Sequence, residues 1–316
     1  MFDILIQQFW SLTISGVALG FIYVLISMGY TMVYGVLRMI NFANSEIFMV
    51  GAFASVIVSR DVFHYTNDSI PPSGGKLALV TACSLLAAML TSSFVAFMVE
   101  LIAYRNLRNR TSNRIAPLIT AIGMSIIISE IVRIMTKARA IFAPRIIEKQ
   151  TLFVFHGADV RLDNTITIIA GLALFIALER FIKLSRLGKG IRAVSMDEDS
   201  AKLMGVNLNR VISLTFIIGG LMTGAAGFFY VNVYENVKYN MGFSLGLAAF
   251  TAAVIGGIGN IRGAFFGGIS LGLLEIYASA IVGTQWKPVT VFVILILILL
   301  FKPNGLFGEA VQKTRV

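Results

Sequence analysis

Long apolar runs separated by short charged loops limit most severely what this chain can become. They lie at 9–34, 43–59, 77–103, 116–136, 164–182, 211–231, 244–259, 263–283 and 288–302. Crossing a bilayer takes about 20 consecutive, mostly apolar residues in a helix. The reading is an all-α, polytopic membrane protein with about nine transmembrane helices. Gly or polar residues interrupt several runs, so eight to ten spans fit, some of them broken or re-entrant. Charged residues make up only 13% of the chain, against about 25% in soluble domains. Residues 1–316 read as a single integral-membrane domain.

A net charge of +10 would suit nucleic acid. The lysines and arginines, however, sit in short loops between apolar runs, which is the positive-inside pattern of a membrane protein. The lipid bilayer is therefore the expected partner, and nucleic acid is not. Most of the basic residues fall at Arg38, at 105–114, at 180–210, at Arg262 and in the C-terminal tail. The alternate loops hold fewer, with Lys137, Arg139, Arg145, Lys149 and Arg161 the densest group. The richer set and the C-terminus are expected in the cytoplasm, and the N-terminus outside. Residues 1–8 carry no basic n-region, so the first apolar segment is expected to be retained rather than cleaved.

The most polar stretch is the loop 185–210. Ser195 followed by Glu198 predicts a capping box, in which each side chain satisfies a free backbone N–H at a helix start. Asp197 and Asp199 add charge in the first turn, where the helix dipole favours it. Gly205 suits the left-handed closure of a helix end. The expected helix over 196–204 is too short to persist alone and needs a partner surface.

Acids inside the apolar runs need a reason, since burying charge in lipid costs at least about 2.5 kcal/mol. Glu130 has Arg133 one turn away, and Glu100 has Arg105. Glu275 has no evident local partner. Glu46 follows a polar string, Asn41, Asn44 and Ser45, and this cluster is the strongest candidate for a pore-lining or gating element. The structural alternative makes Asn44 or Ser45 an N-cap with Glu46 on the helix dipole. Gly35–Ala43 and Gly256–Ala264, the latter holding Gly259 and Asn260, share Gly, Ile and Ala at matching places. Such paired interruptions point to translocation sites in transporters. Glycines four apart (16/20, 220/224, 242/246, 263/267, 268/272) predict close helix packing within one bundle.

Other chemistry is poorly supplied. Gly188-Lys189-Gly190 lacks the upstream glycine and the Ser/Thr of a P-loop. Gly257-Ile-Gly-Asn-Ile-Arg-Gly263 misses dinucleotide-loop spacing. Cys83 is a lone cysteine, read as a small buried residue, and His64 and His156 stand in separate loops, so no metal site is expected. No nucleophile–base set suggests an enzyme. An ion-coupled secondary transporter using Glu46, Glu130 or Glu275 is the alternative from another class.

Four blocks carry a family resemblance: Gly29-Tyr-Thr-Met-Val-Tyr-Gly-Val-Leu-Arg-Met-Ile-Asn-Phe-Ala43, Ile119-Thr-Ala-Ile-Gly-Met-Ser125, Arg210-Val-Ile-Ser-Leu-Thr-Phe-Ile-Ile-Gly219 and Phe250-Thr-Ala-Ala-Val-Ile-Gly-Gly-Ile-Gly-Asn-Ile-Arg-Gly-Ala264. They resemble the permease subunits of branched-chain amino-acid ABC importers, the Liv type. The resemblance implies a bacterial inner-membrane importer subunit for branched-chain or other neutral amino acids. Relatives that carry urea or short amides are the alternative. It implies a second homologous permease subunit, two ATPase subunits that hold ATP and Mg, and an external solute-binding protein docking on loops 60–76 and 137–163. No cofactor is expected on this chain. Ala201-Lys-Leu-Met-Gly205 is similar to the Ala-x-x-x-Gly core of the family's ATPase-coupling helix, which assigns coupling to Ser195, Asp197, Glu198, Asp199, Ala201, Lys202, Met204 and Gly205. The chain departs from the family at Asn44-Ser45-Glu46, where His-Gly usually precedes the acid.

Overall fold

The computed structural model describes residues 8–66, 71–105 and 115–308. Arg108, Arg110, Arg114, Lys313 and Arg315, which contribute to the charge asymmetry, lie outside them. All nine predicted segments are helical. Among the described residues, seven helices are long and apolar enough to cross a membrane: α1 (Phe9–Leu37), α3 (Gly74–Val99, extended by a π segment Glu100–Arg105), α4 (Ile115–Met135), α5 (Leu162–Leu184), α8 (Leu208–Tyr234), α10 (Ile261–Val282) and α11 (Lys287–Phe301, preceded by a 3-10 turn, Thr284–Trp286). Two are shorter. These are α2 (Asn44–Ile57), which continues as a π turn over Val58–Val62, and α9 (Met241–Gly256). The loop 185–207 forms α6 (Arg186–Met196) and α7 (Glu198–Leu203).

Two small β pairs interrupt the all-helical expectation, at the end of the bundle opposite α6 and α7. β1 (Ile141–Phe142) pairs antiparallel with β4 (Asn236–Val237), and β2 (Thr151–Phe155) with β3 (Ala158–Arg161). The second pair turns through His156 and Gly157, both at positive φ, as a two-residue type I′ hairpin requires.

The core is the meeting of α1, α8, α2 and α9, where Ile22, Phe48, Ala225, Phe228 and Ala252 are fully buried. The glycine pairs hold it at close range. A Cβ on Gly272 would stand 2.4 Å from the backbone of Gly20, one on Gly224 2.4 Å from Ala88 O, and one on Gly267 2.1 Å from Ala252 O. All three meet backbone, so these faces admit no side chain. Their contacts lie within one bundle, as expected from the spacing.

Cys83 corrects the sequence reading, for it is exposed. It shares a stripe of α3 with Leu79, Leu86 and Leu90, all more than half exposed. In a membrane protein the outward face meets lipid, so a small apolar residue gains nothing by turning inward.

The acid–base pairs form. Glu100 accepts from Arg105 at 3.0 Å, with Ser213 bridging both. Glu130 pairs with Arg133.

Candidate functional site

The first candidate is the junction where α2 and α9 begin. After α1 ends, residues 38–43 turn back into the bundle. Asn44 Nδ2 donates to Ile26 O at 3.4 Å, roughly 16 Å above the end of α1 at 1.5 Å per residue. Thr223 Oγ1 donates to Asn44 Oδ1. Asn44 and Ser45 do not cap α2, contrary to the structural alternative above. Ala43 is the cap residue and no side chain caps there. Asn44 reaches α1 and α8 instead, and Ser45 Oγ donates back to Phe42 O at 2.6 Å. Asn41 bends the approach by accepting from Ala43 N–H at 3.1 Å and from Tyr104 at 3.2 Å.

Glu46 sits in the first turn of α2, 2% exposed. Its neighbour is the start of α9. A Cβ on Gly242 would lie 2.5 Å from Glu46 Oε2, and one on Gly246 2.1 Å from Ser45 Cβ. The two helices therefore meet N-terminus to N-terminus, and glycine makes the approach possible. Both positive dipole ends favour an anion there. Oε1 accepts from Ser125 Oγ of α4 at 3.4 Å. Among the described residues Oε2 has no hydrogen-bond partner, and neither does Asn41 Nδ2. Buried polar atoms left open are uncommon, and this junction holds two of them.

The remaining candidate residues stand elsewhere. Gly259 (φ +100) and Asn260 lie at the end of the bundle that carries α6 and α7. Asn260 caps α10, accepting from Arg262 and Gly263 N–H, and its amide donates to Phe307 O. The sequence echo brings its two halves together, because a Cβ on Gly35 would lie 3.8 Å from Gly259 O. The halves are not equivalent, since one joins a long helix to a short one and the other a short helix to a long one. Glu275 is not partnerless. Tyr23 donates to it at 2.6 Å, and Lys287 Nζ stands 3.6 Å away. Neither partner could be read locally, as Tyr23 is on the first helix.

The second candidate is α7. Its cap is Asp197, not the predicted Ser195–Glu198 box. Asp197 Oδ1 accepts from Asp199 N–H at 3.0 Å and Oδ2 from Ser200 Oγ at 2.5 Å. Ser195 is instead the last turn of α6, donating to Arg192 O, because Ser185 starts a helix of its own by accepting from Gly188 N–H. The Ser200 hydroxyl, with the backbone N–H groups of Asp199 and Ser200, holds the Asp197 carboxyl below its usual range. Lys202, raised chiefly by Asp199, pairs with Asp199 and Glu198.

The predicted closure at Gly205 forms in full. Gly205 (φ +81) donates to Lys202 O, and Val206 to Ala201 O, the two bonds of a Schellman motif. Ala201 is buried and seats the helix. Arg38, itself left-handed at φ 51, clamps the turn before α7 by donating to Ser195 O and Met196 O. Among the exposed side chains are three large apolar ones: Met196, Leu203 and Met204 are 81%, 89% and 85% exposed.

A family model described as "Branched-chain amino acid transport system / permease component" matches residues 12–301. The high-affinity branched-chain amino acid transport system permease protein LivH of Salmonella typhimurium is 38% identical, over 93% of this chain and 94% of its own. The corresponding protein BraD of Pseudomonas aeruginosa is 35% identical, over 94% of each. A fructose import permease, FrcC of Rhizobium meliloti, is 25% identical over 77% of this chain. Matching nearly end to end, this membrane-spanning chain belongs to the branched-chain amino acid transport system permease family.

Proposed function

We propose that this chain forms one half of the membrane pathway of an ATP-driven importer for branched-chain or other neutral amino acids in a bacterial inner membrane. It works with a second homologous permease, two ATPase subunits that bind ATP and Mg, and an external solute-binding protein. The α6–α7 end, rich in Lys and Arg, faces the cytoplasm.

The observation that carries the reading is α7. It is capped at both ends, seated by Ala201, and with the end of α6 presents Met196, Leu203 and Met204 to solvent in an otherwise polar loop. Exposed apolar side chains on such a loop mark a contact with another protein. Asp197 and Gly205 hold the helix, and Leu203 and Met204 are the knobs that enter an ATPase cleft. Leu203→Asp with Met204→Asp leaves the core untouched. Central interface residues each cost about 2 kcal/mol or more when lost. Binding-protein-stimulated ATPase activity and uptake in proteoliposomes should therefore fall at least about 30-fold. Unchanged activity would reject the coupling assignment. Uptake by this chain alone, driven by an ion gradient, would reject the importer reading.

The junction of α2 and α9 is the gate in this proposal, with Asn41, Asn44, Ser45 and Glu46 as its polar lining. Gly259 and Asn260 flank the path at the α6–α7 end, and Glu275, held by Tyr23 and Lys287, flanks it toward the opposite end. Glu46→Ala should abolish uptake while the variant still assembles and its ATPase partners still turn over. Wild-type uptake by Glu46→Ala would remove the junction from the pathway.

A further inference from the structure

The β2–β3 hairpin carries an apolar surface that neither the core nor α7 explains. Leu152, Phe153, Val154 and Phe155 form an unbroken apolar strand, and all four are exposed. In a two-stranded ribbon the outer edge of β2 has no neighbouring strand. Such a strand in water is an aggregation hazard.

The register says which way its faces point. Phe153 lies opposite Val160, and Phe155 opposite Ala158. Residues directly opposite share a face of the ribbon. Ala158 and Val160 are 3% and 9% exposed, whereas Phe153 and Phe155 are 56% and 40% exposed. β3 therefore seats on the protein, and β2 overhangs its edge on the same face. The overhang begins at the end of a membrane span. Trp10, in the first turn of α1, packs edge-on against Phe155 at 5.0 Å and lies 5.6 Å from His156. The other tryptophan, Trp286, stands just before α11, at the same end of the bundle. Tryptophans at span ends mark the membrane–water interface. Lys137 and Arg139, just beyond α4, are exposed at this end and can meet lipid phosphates.

We propose that the β2–β3 hairpin is an interfacial membrane anchor. Phe153 and Phe155 enter the headgroup–acyl boundary of the leaflet opposite the α6–α7 end, beside Phe9 and Trp10 at the start of α1 and continuous with the exposed apolar face of α5. The unpaired backbone edge of β2 cannot lie in hydrocarbon, which sets the depth at the hydrated boundary. The opposite face, with Val154 and Asp159, points to water.

Spin labels at Phe153→Cys and Asp159→Cys, in a Cys83→Ser background, test this in the assembled transporter in nanodiscs. The label at 153 should collide with oxygen several-fold more than with a water-soluble nickel chelate, and the label at 159 should show the reverse. Equal nickel access at both sites overturns the proposal in favour of a solvated tip. Shielding of 153 from both reagents overturns it in favour of a protein contact, such as the solute-binding protein or a second subunit. Phe153→Trp, with Trp10→Phe and Trp286→Phe, gives an independent readout that keeps an aromatic ring in place. Its fluorescence should be quenched by brominated lipid, and absence of quenching overturns the proposal.

Discussion

Gly272→Val should yield no folded protein. The Cβ alone would lie 2.4 Å from both Cα and N of Gly20 and 2.6 Å from Gly16 O. All three are backbone atoms of α1, so no rotamer change relieves the overlap, and α1 and α10 must separate along their whole contact. Overpacking of this kind costs about 1–3 kcal/mol in cores that can adjust, and more where the obstacle is backbone. In lipid the loss is not offset by a hydrophobic drive, because helix association there rests on the packing itself. The expected result is an aggregated profile on size exclusion in detergent. Gly123→Ala is the matched control. Its Cβ meets nothing within 4 Å and replaces a poor helix former with a good one, so it should behave as wild type or slightly better. A monodisperse, wild-type melt for Gly272→Val would refute the packing argument.

Arg105→Leu should cost about 3–5 kcal/mol, the range seen when one partner of a buried ion pair is removed. The Glu100 side chain is fully buried, and Arg105 reaches it through two nitrogens while also donating to Ser213 at 2.7 Å. Deleting Arg105 leaves Glu100 with Ser213 as its remaining hydrogen-bond donor among the described residues. The diagnostic is rescue. Glu100→Gln together with Arg105→Leu removes the stranded charge, so the double variant should recover more than half of the stability lost by the single one. Thermal melts of both in detergent check this. Equal losses would show that Arg105 acts by packing rather than by charge.

Much of this architecture is legible in the chain because the membrane makes local composition decisive. A helix satisfies its own backbone bonds, so an apolar run of sufficient length declares itself without knowledge of its neighbours. The same locality explains why Gly205 closes α7 as read: a Schellman closure involves only residues within one turn. The capping box failed for a related reason. Ser195 and Asp197 are both good caps two residues apart, and the choice between them depends on whether Ser185 has already started a helix that consumes Ser195. The β2–β3 hairpin was missed because Leu152–Phe155 is apolar on both faces and shows no strand alternation. The surviving signal was the Gly157 turn.

The chain by itself determined which segments enter the membrane, where the charged loop breaks them, and which glycines permit close packing. Only the tertiary structure decided that Glu46 meets the start of α9, that Tyr23 and Lys287 serve Glu275, and that Arg38 clamps the turn before α7. Those contacts join residues from 12 to 252 positions apart, and no periodicity encodes them. They exist because glycine pairs bring distant helices within backbone distance, and that juxtaposition belongs to the packed bundle rather than to any one segment.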